Sequence, residues 1–264
     1  MEFLLALQFL TRIPVTVHGT VTEGDVARSM AYFPLVGLLL GVAAAAVHTL
    51  SSFILPGPVT DLITIAFLVI ITGNMHGDGL MDTADGLFSG RPLEGILEIM
   101  KDSRVGSHGV MAGVLVILFK LVLLGQIPVG PDKLAALIIV PALGRWAQVY
   151  GAAMFPYART GGGTGSFTDK VGRRELLWAS TAALAAAVIL SGVNGGLSDP
   201  VLLKGLLTGT LKVIVLAGAV LAGTAGLGRY ISGRLGGLTG DTYGAMNECI
   251  EVLGLSALVI MLRY

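Results

Sequence analysis

The stretch from residue 76 to residue 86 holds the densest group of side chains that could do chemistry. Asp78, Asp82 and Asp85 are four and three residues apart, which places their carboxylates on one face of a helix. Like charges at this spacing repel unless a cation lies among them, although acids in a first turn also complement a helix dipole. Magnesium usually takes one or two carboxylates and fills its other positions with water and substrate phosphates. We therefore predict that the three aspartates bind magnesium, with His76 as a phosphate contact beside them.

A second polar group consists of Lys101, Asp102, Ser103 and Arg104. Two cations beside a hydroxyl group can hold a phosphate or pyrophosphate, and the planar guanidinium of Arg104 offers two parallel hydrogen bonds. The alternative is that these basic residues only flank a membrane span on its cytoplasmic side. Because the group follows the aspartates closely, we predict that all four residues and His76 bind substrate phosphate.

A third group opens the last apolar segment of the chain. Asp241, Glu248 and Glu251 are seven and three residues apart, again on one helical face. Ionisable residues inside a span are costly and by default indicate function. We predict that Asp241 and Glu248 are catalytic, as a proton acceptor or a second metal site, whereas the alternative is a structural pairing with arginines such as Arg229 and Arg234.

The elements that position these groups are apolar helices. The chain is 54% hydrophobic and 13% charged, so a lipid bilayer is its natural solvent. Windows of about 20 mostly apolar residues, the length of a spanning helix, fall at about 31–55, 59–75, 107–127, 133–154, 175–193, 202–227 and 243–262. We predict one all-α membrane domain over 1–264 with about seven spans, and an interfacial helix over 1–12.

The distribution of basic residues predicts the orientation. Twelve of the 17 lysines and arginines, Arg145 among them, sort to one side of the predicted spans, and Lys120 lies within a span. Cytoplasmic loops accumulate basic residues, so we predict that the amino terminus and all three polar groups face the cytoplasm from the cell membrane. The formal net charge is zero, so no overall field points toward nucleic acid.

Several ordered motifs resemble those of one known family, the cobalamin synthases, which are adenosylcobinamide-GDP ribazoletransferases. They are residues 9–15 (FLTRIPV), 33–37 (FPLVG), the aspartate stretch, 98–106 (EIMKDSRVG), the glycine loop 161–165 and 239–241 (TGD). Gly77 departs from the pattern, because the family usually has leucine there, and Ala84 is a small residue where small residues are common. Neither position removes a predicted ligand.

The resemblance implies a reaction and a cofactor. α-Ribazole, or its 5′-phosphate, would attack adenosylcobinamide-GDP, giving adenosylcobalamin or its 5′-phosphate and releasing GMP, with Mg²⁺ as cofactor. Phosphoryl transfer depends mainly on positioning and electrostatic stabilisation, which agrees with carboxylates for metal and cations for phosphate. The sequence leaves open the preferred acceptor, the number of metal ions and whether the chain forms a homo-oligomer.

Two other functions compete with this one. A CDP-alcohol phosphotransferase of phospholipid synthesis also uses carboxylates at a membrane face, but its motif needs Ala-Arg after Asp-Gly, and here Ala84 precedes Asp85. An ion-coupled transporter would use Asp241, Glu248 and Glu251 as a cation pathway. The absence of an internal repeat and the grouping of acids at one membrane face argue against transport.

Overall fold

The computed structural model describes residues 1–158, 166–198 and 202–263, and within these ranges the regular structure is helical. The α-helices are α1 Glu2–Leu10, α2 Glu23–Ser29, α3 Phe33–Ser52, α4 Gly57–Thr72, α5 Met75–Leu87, α6 Leu93–Ile99, α7 Ser107–Gln126, α8 Pro131–Met154, α9 Arg173–Ser198, α10 Leu202–Leu235 and α11 Gly240–Arg263. Short 3-10 turns at Met30–Tyr32 and Ser166–Lys170 complete the set.

Among the described residues, six helical stretches are long and apolar enough to cross a membrane. They are Glu23–Ser52, Ser107–Gln126, Pro131–Met154, Arg173–Ser191, Thr208–Leu235 and Gly240–Arg263. The count becomes seven if the bent pair α4 and α5 is one span. The predicted fold class, an all-α membrane bundle of about seven spans, is confirmed, while the interfacial position of the short helices stays a prediction.

The second span differs from its predicted window of 59–75 because the chain turns sharply after Thr72. Gly73 and Asn74 both have positive φ, 65° and 57°, and α5 departs from α4 at 87°. Glycine and asparagine tolerate this left-handed conformation best. The missing side chain at Gly73 also leaves room for the side chain of Arg12, whose backbone N–H donates to the Ile71 carbonyl at 2.7 Å.

Glycines let the site helices approach closely. A Cβ atom on Gly79 of α5 would lie 2.6 Å from the carbonyl oxygen of Asp241 in α11. A Cβ atom on Gly244 of α11 would lie 3.0 Å from the carbonyl oxygen of His76 in α5. These contacts seat the start of α11 directly on α5, so the first and third polar groups of the sequence meet.

The segment that precedes the glycine loop is tied to the entrance of α11. The Leu238 amide donates to the Pro156 carbonyl, and the Ala158 amide donates to the Leu238 carbonyl, both at 2.8 Å. The glycine run 161–165, one of the motifs that carry the family resemblance, lies outside the described residues. Residues 156–158 therefore lie beside the chain that enters α11.

Candidate active site

The three aspartates of the first polar group lie on α5, as their spacing predicts. Asp78 is exposed, Asp82 is partly buried and Asp85 is only 9% exposed. The side of α5 that carries these three residues, the aspartate face, therefore runs from the surface into the protein. Asp241 lies at the same end of the bundle, because its backbone packs against Gly79 of α5. The structure thus brings four of the predicted acidic residues to one end of the bundle.

Asp85 is bonded to the start of another helix. Its Oδ2 accepts the Gly106 amide at 2.6 Å, and its Oδ1 accepts the Gly109 amide at 2.8 Å. The first amides of a helix have no partner inside the helix, and an anion there also complements the helix dipole. Asp85 therefore caps α7 from α5 and ties the segment 101–106 to the aspartate face.

The carboxylates of this face are suited to one mode of binding a hard cation. Within the described ranges, no group of three or more His, Cys, Asp or Glu side chains forms a ready cage for a metal ion. Magnesium rarely needs such a cage, because one or two carboxylates suffice when water and substrate phosphates supply the remaining oxygens. Asp78 and Asp82, one turn apart near the surface, fit that mode of binding. The assignment of Asp78, Asp82 and Asp85 to magnesium stays a prediction.

In the second polar group, Arg104 and Asp102 bind each other. The Arg104 Nε is 3.0 Å from both carboxylate oxygens of Asp102, and its Nη2 is 2.5 Å from Oδ2. These hydrogen bonds lower the pKa of Asp102 to about 2 and raise the pKa of Arg104. The Arg104 side chain is 88% exposed, and Lys101 and Ser103 are also exposed. A substrate phosphate can therefore reach the guanidinium, which Asp102 holds in place.

A buried charge network lies deeper in the bundle. Lys120 of α7 donates to Glu248 at 2.7 Å and to Glu251 at 2.6 Å, both on α11. Arg145 of α8 donates to the other oxygen of Glu251. The two cations balance the two carboxylates, as buried charges require. Glu248 therefore faces the bundle, and its partner is Lys120 rather than Arg229 or Arg234, the partners that the structural alternative named.

Arg145 was predicted to lie on the cytoplasmic side, and this prediction is wrong, because the residue lies within the span α8. Arg145 is in the middle of α8, and its side chain is 4% exposed. Pairing with Glu251 neutralises the charge, which removes most of the penalty that would otherwise push an arginine to the membrane surface. A positive-inside count has no means of detecting such an internal pair.

His76 connects the aspartate helix to this network. Its Nε2 is 2.9 Å from the amide nitrogen of Gln148, and its Nδ1 is 3.4 Å from Nη2 of Arg145. Gln148 also donates to Asn247 at 3.0 Å, and Asn247 donates to Glu251 at 3.1 Å. His76 is 3% exposed, so the structure places it beneath the aspartates and among neutral and cationic groups.

A cavity of about 360 Å³ opens between these two layers. Val105, next to Arg104, lies at its edge. Its polar parts are lined by Asn74, His76, Lys120, Arg145, Glu248 and Glu251. Of its lining residues in the described ranges, none is an aspartate. The cavity therefore lies beside the predicted metal and phosphate groups and reaches down to the buried charges.

Comparisons with known proteins identify the family. A model of the cobalamin-5-phosphate synthase family matches residues 2–259, which is nearly the whole chain. The chain belongs to this family. The resemblance to the cobalamin synthases, and the prediction of a transferase of cobalamin synthesis, are confirmed.

Individual members of the cobalamin-5-phosphate synthase family match over most of their length. An adenosylcobinamide-GDP ribazoletransferase of Desulforamulus reducens is 40% identical over 94% of this chain and 91% of its own. The enzyme of that name from Syntrophobacter fumaroxidans is 39% identical over 98% of both chains, and that from Roseiflexus sp. is 38% identical over 97% of this chain and 88% of its own. No solved structure matches the chain.

Sequence reasoning missed several residues of the network, namely Lys120, Arg145, Gln148 and Asn247. The signal was present for Lys120, a lone cation in an otherwise apolar window of about 20 residues. Such a residue needs a partner inside the membrane, and Glu248 and Glu251 offered the opposite charge. For Gln148 and Asn247, nothing in the local sequence distinguishes a network member from an ordinary buried amide.

Proposed function

We propose that this chain transfers the cobinamide phosphate of adenosylcobinamide-GDP to α-ribazole or its 5′-phosphate. A hydroxyl oxygen of the acceptor bonds to the phosphorus attached to cobinamide, and the bond from that phosphorus to the GMP oxygen breaks. The products are adenosylcobalamin, or its 5′-phosphate, and GMP. The observation that carries this proposal is the match to ribazoletransferases along nearly the whole chain.

The aspartate face is the proposed centre of the transfer. Asp78 and Asp82, with Asp85 behind them, would hold magnesium, whose charge stabilises diphosphate oxygens as negative charge shifts to the leaving group. Asp85 has a second role through its bonds to Gly106 and Gly109, which fix the distance between this face and the segment 101–106.

The segment 101–106 supplies the proposed diphosphate contacts. Lys101 and Arg104 are exposed cations directly before the cap of α7. The guanidinium of Arg104 is already oriented by Asp102, so less side-chain entropy is lost when it binds phosphate. The net charge of Arg104 and Asp102 together is zero. The negative charge of a bound diphosphate is therefore offset by Lys101.

Asp241 is the better candidate for the proton acceptor. Asp241 lies in the first turn of α11, and its backbone packs against Gly79 of α5. Glu248 is seven residues further along the same helix, about 10 Å deeper at 1.5 Å per residue. Glu248 is also bonded to Lys120, so taking a proton there would leave the lysine without one of its counter-ions.

We propose that the site faces the cytoplasm from the cell membrane. Support comes from the excess of basic residues on the side that holds the aspartates, which persists after Arg145 is removed from the count. Both proposed substrates are polar or anionic molecules that would reach such a face from water.

Purified protein in lipid nanodiscs tests the function. Adding α-ribazole, or its 5′-phosphate, together with adenosylcobinamide-GDP and magnesium should produce equal amounts of GMP and a nucleotide-loop corrinoid, separated by chromatography. CMP release from a CDP-alcohol would instead support the phospholipid enzyme. Absence of GMP release with both acceptors would overturn the proposal.

A further inference from the structure

The cavity between α4, α5 and α7 has a composition that the phosphate chemistry does not explain. It holds about 360 Å³ and is lined mainly by aliphatic side chains, with charged groups at its inner end. We propose that it binds the aromatic base of the acceptor nucleoside and sets the choice of base. This inference rests on the proposed function and assigns a binding site within it.

The walls of the cavity match an apolar two-ring base. Ile65 and Leu68 come from α4, and Val110, Val114 and Ile117 come from α7. The base of α-ribazole is a benzimidazole with two methyl groups, which gains by contact with aliphatic carbon. Small-molecule pockets commonly range from about 300 to 1,000 Å³, so a nucleoside fits this volume. A corrin macrocycle with its amide side chains is too large for it.

One buried donor in the cavity wall lacks an acceptor. Arg145 lines the cavity, its side chain is 4% exposed, and its Nε has no hydrogen-bond partner in the part of the chain that is described. Leaving such a donor unpaired costs about 1–3 kcal/mol, more for a charged group, and a ligand acceptor removes that penalty. The benzimidazole of a riboside offers one ring nitrogen with a free lone pair, which supplies that acceptor if the Arg145 side chain turns on binding, because its Nε has almost no accessible surface in this conformation.

Guanine, the other base in the reaction, suits this cavity less well. It carries several donors and acceptors along two edges, and aliphatic walls would leave most of them unpaired. The carboxylates of Glu248 and Glu251 are the natural partners for its donors, but both already accept hydrogen bonds from Lys120. The cavity therefore favours the acceptor base over the guanine of the donor substrate.

The cavity also lies where the acceptor substrate, α-ribazole or its 5′-phosphate, must bind. Gly77 lines it, and the next residue, Asp78, belongs to the aspartate face. Val105 lines it from the other side and follows Arg104 directly. A base held in the cavity leaves its ribose at the edge shared by these two groups, next to the proposed position of the diphosphate.

A cavity-filling variant tests the assignment in the full chain. Val114→Phe places an aromatic ring at the cavity wall, and Val122→Phe makes the same change at an exposed position of α7 that does not line the cavity. We expect Val114→Phe to raise the KM for α-ribazole at least about tenfold, in the range that a misfitted apolar pocket produces. The KM for adenosylcobinamide-GDP should stay within about twofold, and Val122→Phe should change neither constant.

The same assay with the riboside of unsubstituted benzimidazole sharpens the result. Because this base lacks both methyl groups, its KM should rise less in Val114→Phe than the KM for α-ribazole. An unchanged KM for both acceptors would overturn the proposal. A rise in the KM for adenosylcobinamide-GDP alone would assign the cavity to guanine and also overturn it.

Photolabelling of the wild-type protein decides the matter if Val114→Phe fails to fold. An azidobenzimidazole riboside should label residues within 65–72 or 110–117, and excess α-ribazole should suppress the labelling. Labelling confined to other segments would contradict the assignment. Wild-type turnover separates the two ideas, because absent GMP release contradicts the proposed function, whereas turnover with labelling elsewhere contradicts only the cavity assignment.

Discussion

Asp85 of α5 accepts the backbone amide of Gly109 in α7, with 2.8 Å between Oδ1 and nitrogen. Asp85 is one of three carboxylates that the sequence spacing assigns to metal binding. It is also the cap of the neighbouring helix α7. One side chain fixes the geometry between the aspartate face and the segment that carries Arg104.

This relationship predicts that Asp85→Asn destabilises the protein. The amide keeps one acceptor oxygen but turns its own donors toward a backbone N–H, so one cap hydrogen bond is lost. We expect a loss of about 1–2 kcal/mol in the free energy of unfolding, seen as a lower thermal midpoint in detergent. Glu94→Gln, an exposed acid on α6, is the control and should leave the midpoint unchanged. An unchanged midpoint for Asp85→Asn would show that the cap is dispensable.

Sequence alone predicts the acidic face but not its surroundings. The four and three spacing of Asp78, Asp82 and Asp85 is a local helical property, and the structure has all three on α5. The break at Gly73 and Asn74 escaped prediction because the apolar window continues to it without a proline. Only the tolerance of both residues for positive φ hints at a turn.

The buried network was harder to predict because its partners lie far apart in the chain. Lys120 and Glu248 are separated by 128 residues, and their contact depends on how α7 packs against α11. Sequence patterns report periodicity within a helix, not which helices meet. The charge of Lys120 was visible, but its partner was fixed only by the fold.

Removing the cation from this network should be costly. Lys120→Met leaves Glu248 and Glu251 close together with Arg145 as their remaining cation, so we expect a loss of about 3–5 kcal/mol. Adding Glu248→Gln removes one of the repelling charges, and the double variant should therefore be more stable than Lys120→Met alone. Thermal unfolding of the single and double variants measures this coupling.

Two results would revise this picture of the network. Equal stability of Lys120→Met and the wild type would mean that the ion pairs contribute nothing to folding. Full specific activity in folded Glu248→Gln protein would remove Glu248 from the predicted catalytic residues and leave Asp241 as the acidic group of α11 at the site.

The Arg104 and Asp102 pair predicts a defined pH behaviour. The pKa of Asp102 is lowered to about 2 from its ordinary 3.8, so the pairing is present above the ordinary value and is lost as pH falls through about 2. Between about pH 5 and pH 9 the pair stays charged. Arg104→Lys should therefore lower kcat/KM for adenosylcobinamide-GDP without changing the shape of the pH profile, since the planar fork is lost but no new group titrates.

Steady-state kinetics across this pH range checks the prediction, with Arg91→Lys as the control at an exposed position of the preceding loop. If Arg104→Lys behaves like Arg91→Lys, Arg104 is a flanking charge of the membrane span and not a substrate contact.

The orientation can be tested by cysteine labelling. After the native Cys249 is replaced, Ser89→Cys at the end of α5 should react only with reagents admitted to the cytoplasm. Gly57→Cys, at the start of α4, should react with a membrane-impermeant reagent from outside. Labelling of residue 89 from the outer face would reverse the orientation and place the aspartate face outside the cell.

GMP release by wild-type, Asp82→Asn and Glu94→Gln proteins tests most directly whether the aspartate face of α5 joins ribazole to the cobinamide phosphate. Asp82→Asn keeps the side-chain shape but removes a charge from the predicted metal site. We predict that wild type and Glu94→Gln release GMP equally, while Asp82→Asn inserts, unfolds at a similar temperature and releases none. Normal GMP release by Asp82→Asn at saturating magnesium would contradict that role of the aspartate face.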